Sequence, residues 1–151
     1  MESLDDQELG TAVQNADSPA WSVRAPAGRQ LAMADRIDEA TDVLHRLLLD
    51  VHDTGVIQET AVALLERKDT TALRCVLLAR SFASETWVAD EIQAALDGNP
   101  EWMTTEGADQ LIKQYRELAI DEDAGVRDEA QRLLARLRPR EEWARDTVSD
   151  S

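Results

Sequence analysis

The chain has 151 residues, 31 of them acidic and 16 basic, so its formal net charge at pH 7 is −15. A negative field of this size repels nucleic-acid phosphates and anionic lipid headgroups, so we expect neither direct nucleic-acid binding nor membrane binding. Six glycines and four prolines are few for a chain with many tight turns, which argues against an all-β fold. The single cysteine, Cys75, excludes an internal disulfide and favours a reducing, cytoplasmic location.

The two ends of the chain lack the regular apolar spacing of its middle. Residues 1–32 are acidic and contain Ser18-Pro19 and Ala25-Pro26-Ala27-Gly28, which predicts a mobile N-terminal arm. Residues 140–151 are predicted to form a disordered C-terminal tail. The folded domain is therefore expected to span residues 33–139.

Apolar residues at helical spacing fill this domain, which predicts an all-α fold. Ser84 or Thr86 is expected to cap the fourth helix, and Gly98 is suited to a left-handed cap at its end. Pro139 is expected to follow the end of the last helix. Six helices are predicted. The fourth follows its cap and continues to Leu96, and the other five are Met33–Asp50, Val56–Lys68, Thr71–Ala83, Thr105–Ala119 and Gly125–Arg138.

The second, fourth and sixth of these helices share one register. Each has an acidic residue, a valine three positions later, a small or branched residue four positions after the valine, and an inward pair three and four positions further on. The three sets are Asp53, Val56, Thr60, Ala63 and Leu64; Glu85, Val88, Ile92, Ala95 and Leu96; and Asp123, Val126, Ala130, Leu133 and Leu134. The sequence therefore predicts a helical hairpin repeated three times, because one hairpin cannot bury its apolar face alone.

The last of these sets resembles the second helix of a HEAT repeat. In Asp123–Leu134, DAGVRDEAQRLL, the Asp, Val-Arg, Ala and Leu stand where that family has them. Asp53–Leu65 and Glu85–Leu96 are looser copies, with Ile57 and Ala89 in place of the arginine. The resemblance implies a right-handed α-solenoid of about three antiparallel hairpins that binds proteins through its stacked helix faces. It fixes no activity, since HEAT-like scaffolds also occur in bilin lyases and in alkyl-purine DNA glycosylases.

Carboxylates occupy equivalent positions in the three Val-led helices. Glu59, Glu91 and Glu129 stand three residues after the valines, and the preceding position holds Gln58, Asp90 and Asp128. On stacked helices these side chains would form a carboxylate ladder along one open face, which could recognise a basic protein. The alternative is an ordinary solvated face on which Asp128 pairs with Arg132.

Two tryptophans are candidate contact residues. Trp87 directly precedes Val88, where the other two repeats have Gly55 and Gly125, and Trp102 lies in the long connection before the fifth helix. An exposed tryptophan beside carboxylates is typical of a binding hot spot. Alternatively, both rings cover the apolar core.

The sequence contains no catalytic or metal-binding signature. His45 and His52 lack a third ligand at an ordered spacing, and Cys75 has no local partner that would make it a nucleophile. We therefore expect no metal site, no cofactor and no enzymatic activity.

Three functional hypotheses follow. The first is a cytoplasmic protein-binding module, most concretely an acidic inhibitor or immunity-like protein that covers a basic partner. The second is a HEAT-like enzyme or cofactor-lyase accessory with an apolar pocket near Trp87, Trp102 and Tyr115. The third is a structural protein whose acidity serves solubility or salt adaptation. The Arg-rich, Lys-poor composition also suggests a GC-rich bacterial genome.

Overall fold

The computed structural model describes residues 6–35 and 37–149, and the side chains of residues 6–137 except those at positions 36 and 38. Every regular element within these ranges is a helix, which confirms the predicted all-α class. The elements are α1 Asp6–Asn15, α2 Trp21–Ala32, a 3₁₀ helix Ile37–Ala40, α3 Thr41–Leu48, α4 Thr54–Glu66, α5 Thr70–Phe82, α6 Thr86–Asp97, a 3₁₀ helix Pro100–Met103, α7 Thr105–Leu118 and α8 Ala124–Ser149.

Most of the predicted inward positions of the repeat form the centre of the core, whereas Ala63 and Leu134 are only half-buried. Val56, Val88 and Val126 are buried, as are Thr60, Ile92 and Ala130 four residues after them. Helix α2 packs along α4, and α4 packs along α6. Helices α3, α7 and α8 pack against α5. Burial of one apolar stripe per helix against two or more neighbours is what stabilises such short helices.

Helices α6 and α8 run in the same direction. Gln93 Oε1 accepts a hydrogen bond from Arg132 Nη2 at 2.8 Å, and one turn further on Asp97 Oδ2 lies 3.8 Å from Arg136 Nη2. Both contacts join residues that are 39 positions apart, so the two helices keep one register. This register places residue 128 of α8 at the level of residue 89 of α6.

The N-terminal segment differs from its prediction as a mobile arm. Residues 6–32 form α1 and α2, and Ala12, Ala25, Ala27 and Leu31 belong to the buried core. Gly28 lies so close to α4 that a Cβ at this position would overlap Thr60 Oγ1 and lie 3.2 Å from Thr60 Cβ. The prediction was wrong here because the buried residues are mostly alanine and glycine, which carry little hydrophobic signal, and because Pro26 interrupts the pattern. The first five residues of the predicted arm lie outside the described residues.

Three predicted boundaries also need correction. Helix α8 continues through Pro139 to Ser149, in place of an end at Arg138 followed by a disordered tail. A proline removes one backbone hydrogen bond but does not oblige a helix to end. The first predicted helix is replaced by a 3₁₀ turn at Ile37–Ala40 and by α3, and residues 33–35 are not helical apart from a turn. Residues 150 and 151 of the predicted tail lie outside the described residues.

In two of the three Val-led helices, the side chain of the acidic residue of the repeat caps the N-terminal end of the helix. Asp53 accepts a hydrogen bond from the Gly55 N–H at 2.7 Å, and Asp123 accepts one from the Val126 N–H at 3.0 Å. The N-cap of α6 is Glu85, whose side chain makes no capping hydrogen bond, so the predicted caps Ser84 and Thr86 are wrong. The predicted left-handed cap at Gly98 is also wrong, because its φ angle is −84°.

Candidate functional site

The N-terminal ends of α6 and α8 carry a surface of one tryptophan and three carboxylates. We call Trp87, Asp90, Glu91 and Asp128 the α6–α8 surface. Trp87 is 38% exposed, and Asp90 and Glu91 follow it by three and four residues, so all three lie on one face of α6. Asp90 and Asp128 are exposed, which confirms the outward orientation predicted for this position of the repeat.

The three glutamates at the equivalent position have different surroundings. Glu59 lies 3.5 Å from Arg29 Nε of α2, and its Oε2 atom is enclosed without a hydrogen bond from any described residue. Glu91 is half-buried and makes no hydrogen bond or ion pair with a described side chain. Glu129 is bound on two sides by arginines. A uniform open ladder is therefore absent from these three positions.

Glu129 belongs to the interior of the helix assembly. Arg80 Nη1 of α5 donates to its Oε1 at 2.9 Å and to its Oε2 at 2.8 Å. Arg132 also donates to Oε2, from Nη2 at 2.9 Å, and reaches across to Gln93 of α6. The side chains of Arg80 and Glu129 are 17% and 14% exposed. The prediction that Glu129 faces outward is wrong, because a cation from the neighbouring helix holds it inward.

The predicted Asp128–Arg132 pair is not formed, since Arg132 binds Glu129 and Gln93 instead. The same preference for internal partners holds for most described cations, whose ion pairs are Arg24–Asp50, Arg46–Asp17, Arg67–Asp69, Lys68–Glu101, Arg74–Asp121 and Arg80–Glu129. Asp90, Glu91 and Asp128 have no ion pair with any described side chain. Negative charge is therefore uncompensated at the α6–α8 surface, as it also is at other exposed carboxylates such as Glu66, Glu106 and Asp109.

Trp102 packs against the core, 15 residues along the chain from Trp87. Its indole N–H donates to the Leu96 carbonyl at 3.2 Å, and its ring stacks on Tyr115 with a centroid distance of 6.0 Å and an interplanar angle of 25°. Of the two alternatives given for Trp102, this arrangement is the one in which the ring covers the core. The ring also lines a groove of about 490 Å³ between α6, α7 and α8.

The surroundings of His45 and Cys75 are those of residues that contribute to packing. The His45 ring meets the edge of Phe82 at a centroid distance of 5.2 Å, and burial lowers the pKa of His45. Burial likewise raises the pKa of the Cys75 thiol, which disfavours the nucleophilic thiolate. No group of three or more metal-binding side chains occurs among the described residues.

None of the described helices combines the length and the apolarity that a bilayer-crossing segment needs. No protein-family model, no curated protein and no solved structure matches this chain. The HEAT resemblance and the functional assignments therefore depend on the residues of the repeat and on the geometry of the surface.

The cationic contacts between helices were not predicted from the sequence. Of the three residues near which an apolar pocket was expected, Trp102 and Tyr115 line the groove and Trp87 does not. The structure turns Arg80 inward and leaves Phe82 63% exposed. The spacing of Arg80 on its own helix contains a signal for this orientation, since Arg80 follows Val76 and Leu77 by four and three residues. Its partner Glu129 is 49 residues away and carries no local signal.

Proposed function

We propose that the protein is a non-enzymatic, cytoplasmic binding module that covers a basic surface of a protein partner, as an acidic inhibitor or immunity-like protein does. The α6–α8 surface is the proposed contact region, with Trp87 as its apolar anchor. Glu59 and Glu129 are less suited to this role than Asp90, Glu91 and Asp128, because arginines of the same chain already lie against them. Trp102 is also less suited to this role, because its ring packs on Tyr115.

One observation carries the proposal. Three carboxylates at the N-terminal ends of α6 and α8 have no cationic partner among the described side chains, whereas most described cations have an acidic one. Unpaired carboxylates repel one another, and a partner's Lys or Arg side chains relieve that repulsion. A half-exposed tryptophan beside them supplies the large contact area that charged rims lack.

The arrangement of helices supports a HEAT-like scaffold as part of the same proposal. We infer that α1–α2, α3–α4, α5–α6 and α7–α8 are four stacked hairpins of a right-handed α-solenoid, with α1–α2 added to the three hairpins predicted. The order of contacts from α2 to α4 to α6 and the shared direction of α6 and α8 favour this stacking. Because α6 and α8 run in the same direction, such a stack has their N-terminal ends on the same side of the molecule, and we propose these ends as the contact region.

The test uses affinity capture by the full-length chain at low ionic strength, followed by purification of the captured protein and measurement of its association rate. We expect a basic partner whose association slows steeply as salt is added. Reversal of Asp90, Glu91 and Asp128 together to lysine should slow association by about tenfold or more, since steering by charge contributes tenfold to a thousandfold. The free energy of unfolding should change by no more than about 0.5 kcal/mol per exposed site.

A matched triple variant controls for net charge. Glu66, Glu106 and Asp109 are also exposed, and their reversal to lysine changes the total charge by the same amount at other positions. We expect this control to slow association by roughly threefold or less, as a long-range field effect does. Equal slowing by both triples would show that the α6–α8 surface is not the contact region. Failure to capture any protein at low salt, or capture of an acidic partner only, would contradict the proposed function.

A further inference from the structure

The groove beside Trp102 has the dimensions and the walls of a small-molecule site. Its volume is about 490 Å³, within the range of about 300–1,000 Å³ that is typical of ligand pockets. Leu96 of α6, Ile112 of α7 and Leu133 of α8 provide apolar walls, so three helices position the site. Asp97 and Arg136, which are about half exposed, lie at its rim as a loose ion pair of 3.8 Å.

Tyr115 brings a hydroxyl group to this groove. The residue as a whole is only 2% exposed and lines the groove, and its hydroxyl has no hydrogen bond to any described residue. The hydroxyl is not one of the enclosed polar atoms that lack a partner among the described residues, so it stays accessible from the groove. The charges that act most strongly on this hydroxyl are those of Asp97, Arg132 and Arg136, and two of these three line the groove as well. We therefore place the hydroxyl at the groove that Tyr115 lines, where an acceptor atom of a ligand can reach it.

Burial keeps the Tyr115 hydroxyl a hydrogen-bond donor. Desolvation raises the pKa of Tyr115 far above its ordinary value, and the nearby Asp97 carboxylate raises it further. The phenol consequently stays protonated throughout the physiological range. It is suited to donate to a neutral acceptor such as a carbonyl oxygen.

Trp102 gives the site a fixed aromatic wall. Its indole N–H is anchored on the Leu96 carbonyl at 3.2 Å, so the ring plane is held in place before any ligand arrives. The ring stacks with Tyr115 at an interplanar angle of 25°, so the two aromatic planes are roughly parallel where these residues line the groove. Surfaces of this kind favour flat ligands, because offset stacking adds about 0.5–1.5 kcal/mol to simple area burial.

We propose that this groove binds a flat, uncharged, largely apolar small molecule that accepts a hydrogen bond from the Tyr115 hydroxyl. A charged ligand is disfavoured, because the apolar walls would desolvate its charge and the rim charges already pair with each other. An anion is disfavoured further by the net charge of −15. The site is independent of the α6–α8 surface, and its binding needs no protein partner.

The test uses the full-length chain and prodan, a neutral naphthalene ketone whose emission moves to shorter wavelength in apolar surroundings. We expect a saturable shift with one site per chain and energy transfer from tryptophan. Tyr115→Phe keeps the ring and removes the hydroxyl, so the Kd for prodan should rise roughly three- to tenfold, as loss of one hydrogen bond predicts. Dimethylaminonaphthalene lacks the carbonyl, and its Kd should be the same for both proteins.

A groove-filling variant provides a second, independent arm. Ala108 is half-buried and lines the groove, so Ala108→Phe should abolish prodan binding while circular dichroism and the unfolding midpoint show a folded chain. Trp21→Phe removes an exposed tryptophan of α2, outside the groove, and should leave the Kd unchanged. Absence of saturable binding, an unchanged Kd for prodan in Tyr115→Phe, or wild-type binding by folded Ala108→Phe would each overturn the proposal. If Ala108→Phe fails to fold, the two-dye comparison with Tyr115→Phe decides.

Discussion

The contact of α2 with α4 and the contact of α5 with α8 join helices by different means. Gly28 of α2 approaches Thr60 of α4 so closely that no side chain fits between them, and both residues are uncharged and buried. Between α5 and α8, Arg80 and Glu129 form a largely buried ion pair beside the apolar contacts. The first contact depends on the absence of side-chain atoms and the second on their charge.

This difference explains which contacts tolerate change. Protein interiors are close-packed, so an added methyl group at a helix crossing directly lowers the stability of the fold. An ion pair in the interior tolerates small changes in shape but not the loss of one partner, because the other charge is then left buried. Four predictions test this comparison.

The largest effects should come from large-to-small changes in the apolar core that both contacts share. Leu64→Ala on α4 and Leu133→Ala on α8 should each lower the free energy of unfolding by about 2–5 kcal/mol, because each leaves a cavity. Urea unfolding measures this change. Leu134→Ala is the control, since Leu134 is only half-buried and should cost clearly less. Equal costs for Leu133 and Leu134 would contradict the deeper burial of Leu133.

Gly28→Ala tests the close contact of α2 with α4. The added methyl group should lower the free energy of unfolding by about 1–3 kcal/mol, although alanine is the better helix former. Gly10→Ala in α1 is the matched control, because nothing lies within 4 Å of its Cβ position and the change should stabilise the protein by up to about 1 kcal/mol. Thr60→Ala should rescue Gly28→Ala in the double variant. Similar effects of the two glycine changes would contradict the docking of α2 on α4.

Glu129→Gln tests the charged contact of α5 with α8. The substitution keeps the shape and removes the charge that Arg80 and Arg132 bind, so we expect a loss of about 1–2 kcal/mol, below the cost of a fully buried charge. Glu91→Gln is the control at the equivalent position of the repeat and should stay within about 0.5 kcal/mol. Denaturant unfolding of both variants measures the difference. A loss for Glu91 as large as that for Glu129 would show that these carboxylates share one role.

The smallest effect concerns pH. Hydrogen bonds from Arg74 at 2.9 and 3.0 Å, together with one from the Asp123 N–H, hold the pKa of Asp121 below its ordinary value. The stabilisation is complete above the unfolded-state pKa of about 3.9 and is lost as pH falls through the lower folded-state pKa. The stability difference between wild type and Asp121→Asn should therefore be constant above about pH 5 and shrink below about pH 4. Unfolding at a series of pH values measures it, with Asp109→Asn as an exposed control. A difference that grows as pH falls would contradict this pairing.

Six of the described helices, α3 to α8, were predicted from apolar periodicity, with boundaries that agree best for α4 to α7. Periodicity records which side of a helix is apolar, and that information is local. The helices α1 and α2 escaped prediction because alanine and glycine at helix crossings contribute to packing through small size. Pro26 lies inside α2, although a proline in a sequence usually predicts the end of a helix. The packing of α2 on α4 stabilises the helix in spite of it.

The candidate surface was predicted only in part. The exposure of Asp90 and Asp128 follows from their place opposite the buried stripe, two residues after each valine. Glu91 and Glu129 have the same place in the repeat, yet one lacks an ionic partner among the described side chains and the other is bound by Arg80. Trp102 and Tyr115 are 13 residues apart, and their stacking depends on how the 3₁₀ helix Pro100–Met103 lies against α7.

The sequence by itself determined the helical class, the inward stripe of each Val-led helix and the excess of negative charge. Each of these depends on residues within a few turns of one another or on composition alone. Only the tertiary structure decided that Arg80 reaches Glu129, that Gly28 meets Thr60 and that Tyr115 lines a groove together with Trp102. Such contacts join residues that are distant in the chain, and their energies depend on distances of a few ångströms that no local pattern encodes.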